Sequence, residues 1–306
     1  MEKTAGVEGT LAQLRSPSVA AFSTLQTLLP FRSTSRLADE ALCLSSLVGV
    51  DPKHILSVPN DQESRMKIFW TTVEKIPPEV LFWIGPKLQT KGFRWAPKTF
   101  MNAREWSNLN GSYNEFGATL TEDGLRVHLA AWMLGCSRGR PIKAQFVMVD
   151  THKTVYTVSC LDGNTGEFLD PDNSFNPWLQ VGWTEATNYP GALYVLSRLD
   201  VDAQDRLAPR ISYDAILVLA YQKSFVSNTD HIYARYICPV RVRKHGTEVG
   251  WTRNYTDWIE TMQSRGDIDP EIGRLGLWSS GQNTEPGVTD LVGCSAVSKG
   301  QPWVID

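Results

Sequence analysis

The segment Gly92-Phe93-Arg94-Trp95-Ala96-Pro97 sets a guanidinium beside an indole, with a glycine and a proline constraining the backbone on either side. Both groups stack on flat or apolar molecules and both donate hydrogen bonds. Arg94 and Trp95 are therefore suited to holding an apolar substrate and polarising a carbonyl on it. The competing reading is structural, with Arg94 paired to Asp39 or Glu40 and Trp95 filling a core. His128 falls on a predicted strand, on the same face as Arg126 and Trp132, where its imidazole can donate to a substrate oxygen. Its competing reading is a solvent-facing or hydrogen-bonded strand histidine. Trp106 and Tyr113 lie in the polar, aromatic stretch 98–114, which reads as an irregular loop or short helix long enough to carry function. The candidate set is thus Arg94 and His128 as catalytic donors, with Trp95, Trp106, Tyr113 and Trp132 as substrate-binding residues.

Other chemistry finds little support. There is no GxGxxG, no P-loop and no HExxH. The five cysteines, at 43, 136, 160, 238 and 294, form no CxxC and no Cys/His cluster at metal-ligand spacing, so they read as free buried thiols. Cys43 and Cys136 could each act as a nucleophile with a distant histidine, but no local motif supports it. Asp170-Pro171-Asp172-Asn173 lacks the glycine and distal glutamate of a calcium loop. No metal and no cofactor is expected. Asp39 and Glu40 are adjacent on a predicted helix, about 100° apart, and cannot face each other across a substrate. A helix-start role suits them better, with Arg32 or Arg36 as salt partner.

Composition narrows the partners. The chain has 306 residues, 42% hydrophobic and 21% charged, with a net charge of −3. It carries no basic field for a phosphate backbone, so nucleic acid is not expected. No apolar run approaches the roughly 18 residues that span a bilayer. The start, MEKTAGVEGT, lacks the basic and apolar regions of a signal peptide, which points to a cytoplasmic protein. Eleven tryptophans, with 11 Phe and 9 Tyr, either fill a core or line an apolar pocket. The expected partner is an apolar small molecule.

The elements that position these residues divide by period. Residues 1–10 read as disordered. Val19, Phe22, Leu25 and Leu29 share a face and suggest a helix over 18–29. Leu37, Ala41, Leu44 and Val48, with Leu47 beside them, predict a helix capped by Ser35 and ended by Gly49. Met66, Phe69, Trp70 and Val73 stripe a second helix, Glu63–Ile76, stopped by Pro77 and Pro78. Leu81–Ile84 is a short buried run. Beyond residue 118 the period is two. Leu125, Val127, Leu129, Ala131 and Met133 predict one strand with a single apolar face. Further strands are expected at Phe146–Val149, Thr154–Cys160 and Ala192–Ser197. Ala215–Tyr221 reads as a strand buried on both faces. The segment His231–Arg243 alternates with its even positions on one face, and Pro239 implies an edge or a bulge. A short helix over 254–264 and an irregular tail complete the chain. Helices first and strands later predict a single α+β unit over residues 1–306, helix-rich over 18–97 and strand-rich over 118–245, with a helical N-terminal third packed on a mainly antiparallel sheet.

The order RSTSRLADEALCLSSL, then a helix with RMKIFW, then IPPEVLFWIGPKLQTKGFRWAP resembles the region downstream of the HET domain in fungal heterokaryon-incompatibility proteins. The resemblance spans residues 31–100 and fades by about residue 160. Only thirty residues precede Phe31, so the HET domain itself and its cell-death activity are not expected. The resemblance implies a fungal lineage. Proteins similar to this region are associated with terpenoid clusters, including norbornene-forming cyclases of sordarin-type pathways. It implies a cofactor-independent cyclase of secondary metabolism that folds an apolar, terpenoid-like substrate for a [4+2] closure. Two alternatives remain: a non-enzymatic regulatory or interaction module derived from HET proteins, and a protein that binds an apolar metabolite without turnover.

Overall fold

The first long helix, α1 (Glu40–Val48), forms where the apolar period predicts, but it enters through a 3-10 turn, Leu37–Asp39, rather than from a Ser35 cap. That turn leaves Leu37 outside the buried stripe, at 52% exposure. Gly49 ends α1 in the left-handed conformation, with φ of 76°. A single turn, α2 (Lys53–Leu56), precedes α3 (Gln62–Thr72). Asp61 caps α3 by accepting from the Ser64 amide at 2.8 Å. The helix stops at Thr72, short of the predicted Ile76, because Val73 is already extended. Ile76 is drawn instead into a bridge with Ala118. A 3-10 turn, Pro78–Phe82, follows.

These elements are seen in a computed structural model that describes residues 25, 29, 32–101, 118–136, 141–149, 155–180, 191–197, 212–221, 231–244, 290–297 and 301–306. Of the helix expected over 18–29, Leu25 is helical and accepts a 2.9 Å bond from the Leu29 amide. The rest of that helix, the segment 1–10 and the helix expected over 254–264 lie outside the described residues.

The fold is α+β, with its longer helices early in the chain and a large, mostly antiparallel set of strands after them. Its contacts fall into two compact units. The first comprises residues 1–127, 163–166 and 304–306; the second comprises 128–162 and 167–303.

The first unit is built on an aromatic core. Met66, Phe69 and Trp70 of α3 are fully buried, as the stripe predicts. Trp70 stacks on Phe100 with centroids 5.5 Å apart, and Trp83 meets the same ring edge-on at 5.1 Å. The unit also holds a hairpin of β1 (Thr119–Thr121) and the first part of β2 (Gly124–His128).

The second unit is organised by a ring of strands. These are β3 (Ala130–Leu134), β5 (Gln145–Val149), β6 (Val155–Cys160), β8 (Leu193–Ser197), β9 (Ser212–Tyr221), β10 (Ile232–Lys244) and β11 (Asp290–Val297). The hydrogen-bonded order is β10-β6-β5-β11-β3-β8-β9, and β9 pairs again with β10, which closes the ring into a barrel. Every pairing is antiparallel except β5 with β11. Closure leaves no free edge among these seven strands. A two-stranded ladder of β4 (Ile142–Lys143) and β7 (Ser174–Phe175) accompanies it. A last helical turn, α4 (Pro177–Gln180), and a last strand, β12 (Pro302–Ile305), complete the described elements.

Two strands change phase where the sequence alternation looks continuous. The run 125–133 is two strands, not one, broken at Leu129. The Leu129 carbonyl accepts the Trp303 indole N–H at 3.1 Å. Across the break the inward set switches from odd to even positions, so Trp132 and Leu134 enter the barrel core. In β10 the register slips between Tyr236 and Cys238. Pro239 thus marks a bulge rather than an edge, since β10 is paired on both sides.

Candidate functional site

The interior of the barrel is apolar and aromatic. Trp132, Leu134, Phe146, Tyr156, Val195 and Leu217 belong to one buried cluster with Cys160 and Cys294. Val195 stands opposite Trp132 on β3 and opposite Leu217 on β9, and residues directly opposite in a ladder share a face. Across the core, Trp132 and Tyr156 meet with centroids 5.6 Å apart at 52°. Both are 2% exposed or less, so this layer is filled by side chains and forms a floor.

At one end of the barrel the interior layer of Leu134, Leu193 and Leu219 is still buried. There β3 ends, β8 and β5 begin, β9 ends at Tyr221, and β10 begins. Cys136, Phe175, Ile237 and Cys238 pack against the core but stay partly exposed. Tyr233 pairs with Tyr221, ring centroids 6.2 Å apart, and Arg235 pairs with Leu219. Leu219 belongs to the interior cluster, so Arg235, Tyr233 and Tyr221 share the inward face. His231 lies just before β10, and its Nδ1 is buried with no hydrogen-bond partner among the described residues. The bulge is what admits this row. Beyond it the even-numbered Val240 and Val242 face inward instead.

Two thiols here, Cys136 and Cys160, are held in the unreactive protonated form. Burial pushes the Cys136 thiol up to about 12. The Cys238 thiol, hydrogen-bonded to Cys160, and burial together hold Cys160 well above the ordinary thiol range. A thiol nucleophile needs the opposite shift. Among the described residues no three His, Cys, Asp or Glu side chains converge as a metal site would need.

Of the six candidates from the sequence, four are described, two in each unit. Arg94 lies in the first unit, ion-paired to Asp306 at 2.6 Å. The other Asp306 oxygen accepts the Gly92 amide at 2.7 Å. The carboxylate partner is thus Asp306 rather than Asp39 or Glu40. Asp39 pairs instead with Arg65 at 2.9 Å, rather than with Arg32 or Arg36. Glu40 accepts from the Thr99 hydroxyl and the Phe100 amide, both at 2.7 Å. Trp95 is fully buried, its indole donating to the Gly92 carbonyl at 2.9 Å. It packs against Trp70 and Phe93, as a core residue does. In the second unit, His128 is exposed at the end of β2, while Trp132 is buried in the barrel. The phase break at Leu129 separates the faces that an unbroken strand would have shared. Trp106 and Tyr113 lie outside the described residues.

Sequence reasoning passed over Arg235, because it assigned the inward face of β10 to even positions throughout. It also overlooked one spacing. Gly135-Cys136-Ser137-Arg138-Gly139 has the G-x-S-x-G pattern of a nucleophile elbow. An elbow is a strand-to-helix turn, whereas here the next described element is the strand β4. Ser137 and Arg138 lie outside the described residues. In the first unit, burial lowers Lys87 to about 7, and its ammonium donates to the Val80 carbonyl at 3.2 Å.

Comparison of the chain with protein families, with characterised proteins and with solved structures returns no match. No helix among the described residues is long and apolar enough to cross a membrane.

Proposed function

We propose that the protein is a cofactor-independent cyclase of fungal secondary metabolism, acting in the cytoplasm. It folds an apolar, terpenoid-like substrate within the barrel for a [4+2] closure. The observation that carries this reading is the closed barrel with an aromatic floor, Trp132 against Tyr156, below a partly exposed apolar rim. A pericyclic step needs no proton relay. It needs the diene and the alkene held in contact, and a donor facing the carbonyl on which electron density grows. A rigid apolar wall supplies the first, and the Trp132 N–H or the Tyr156 hydroxyl supplies the second. Arg94 and Trp95 are committed to the fold of the first unit and drop from the set. His128, exposed beyond the phase break, is the weaker of the remaining candidates.

The test is turnover of a terpenoid carrying a conjugated diene and an electron-poor alkene, followed by product formation and stereochemical ratio. Acceleration by the protein, reduced about tenfold or more in Trp132→Phe or Tyr156→Phe, is the expected outcome. Binding without acceleration makes the protein a carrier of an apolar metabolite. Absence of both sinks the barrel reading and leaves an interaction module derived from HET proteins.

A further inference from the structure

Two cysteines meet in the second unit: Cys160 at the end of β6 and Cys238 on β10. Register brings them close. Val240 stands opposite Cys160, and the Leu161 amide donates to the Pro239 carbonyl at 3.1 Å, so Cys238 lies one rung diagonally from Cys160. The bulge decides where Cys238 points. Ile237 is the extra residue, and Cys238 resumes the ladder opposite Leu217, an interior residue. Without that extra residue, position 238 would keep the phase of Tyr236, which stands opposite Val218. Bulges re-aim side chains in this way, and Cys238 packs on the same core that holds Cys160. The two thiols are hydrogen-bonded to each other. Diagonal neighbours in a regular ladder ordinarily sit too far apart for a disulfide. Here the sulfurs are already in contact, and the ladder beside them is weakened. Pro239 has no amide to return the Leu161 bond, so β10 is free to close on β6.

We propose that Cys160 and Cys238 form an oxidation site, at which a hydroperoxide converts the pair to a reversible disulfide that staples β6 to β10 at the bulge. The inference is independent of the cyclase reading. Access sets the order of steps. Cys238 is partly exposed and Cys160 is fully buried, so the Cys238 sulfur meets the oxidant first. With hydrogen peroxide, Cys238 Sγ attacks one oxygen and the O–O bond breaks. That oxygen stays on sulfur as a sulfenic acid, and the other leaves as water with the thiol proton. Cys160 Sγ then attacks Cys238 Sγ. The S–S bond forms, the S–O bond breaks, and the hydroxyl leaves with the Cys160 proton as a second water. The two thiols lose two electrons in all, and one peroxide takes both. A sulfenic acid with no second thiol in reach goes on to irreversible acids, so the contact with Cys160 is what makes the product recoverable. In a reducing compartment such a pair rests as thiols and closes only under oxidant.

The experiment treats the folded, reduced chain with hydrogen peroxide, blocks remaining thiols with N-ethylmaleimide, and maps peptides of the monomer without reductant. A peptide joining Cys160 to Cys238 is expected, with both thiols lost together and both restored by dithiothreitol. Cys43 is exposed, and its own oxidation is read from its separate peptide. The amides of Ile237, Cys238 and Val240 are expected to exchange more slowly with solvent in the oxidised chain than in the reduced one. Cys238→Ser is expected to leave Cys160 unoxidised at the same peroxide dose. A folded chain that keeps both thiols, or oxidises one without the other, overturns the proposal without any variant having to fold. So does a bond from either cysteine to Cys136 or Cys294, or one that forms only in denaturant. Unchanged exchange at the bulge overturns the stapling.

Discussion

Arg94 shows how a residue suited to chemistry is spent on architecture. Its guanidinium and the Gly92 amide together satisfy both oxygens of a carboxylate whose side chain is only 6% exposed. Removing the cation leaves that charge nearly buried and half satisfied, which typically costs about 1–3 kcal/mol. Arg94→Gln is therefore expected to lower the unfolding free energy by that amount, seen as a lower denaturant midpoint, and to leave turnover per folded molecule unchanged. A normal midpoint with lost turnover would restore Arg94 to the catalytic set. Glu40 makes a second prediction at this scale. Burial raises its carboxyl above the ordinary value of about 4.5, against hydrogen bonds from Thr99, Phe100 and Met101 that lower it. The folded state thus keeps the proton to higher pH than the unfolded chain. The resulting stabilisation is complete below about 4.5 and is lost as pH rises through the folded value. Glu40→Gln can still accept from Phe100 and donate to Thr99. Between pH 4.5 and 7, urea titrations should show the unaltered chain losing stability relative to that variant, and parallel profiles for the two would remove the linkage.

Elements were legible where the period of the sequence stayed in phase. The stripe of α3, the left-handed Gly49 and the doubly buried β9 all follow from local pattern, and Ala215–Ala220 is buried at every position. Two features were not legible, and both concern phase. At Leu129 a carbonyl leaves the ladder for the Trp303 indole, a partner far along the chain that no local window contains. In β10 one extra residue swaps the inward set, and Pro239 signalled the irregularity without saying which residues it would turn inward. The pairing of Arg94 with Asp306 was hidden for the same reason, since long-range partners leave no local spacing. The turn of the β1–β2 hairpin gives a prediction at this scale. Gly124 has φ of +146°, and a Cβ there would overlap the Ile305 carbonyl oxygen. Gly124→Ala should cost more than about 2 kcal/mol and lower the thermal midpoint by several degrees. An unchanged midpoint would mean that the strand carrying Ile305 can yield at no cost.

At the scale of the molecule, the barrel is the element whose loss nothing else could absorb. β9 is hydrogen-bonded on both sides, to β8 and to β10, and its residues Ala215–Ala220 are all buried. Its amides should therefore exchange with solvent only through global opening of that unit, and those of the short β4–β7 ladder far sooner. Comparable rates for the two would mean that the ring opens locally at β9. Closure also depends on a strand from late in the sequence. β11, Asp290–Val297, lies between β5 and β3, parallel to the one and antiparallel to the other. While the chain is still on the ribosome, β3 and β5 have been made but the strand that separates them has not. Each offers an unpaired row of amides and carbonyls to any passing strand until residue 297 emerges. Yield in a cell should accordingly depend on holding chaperones until that strand is made, more than on the stability of the folded protein.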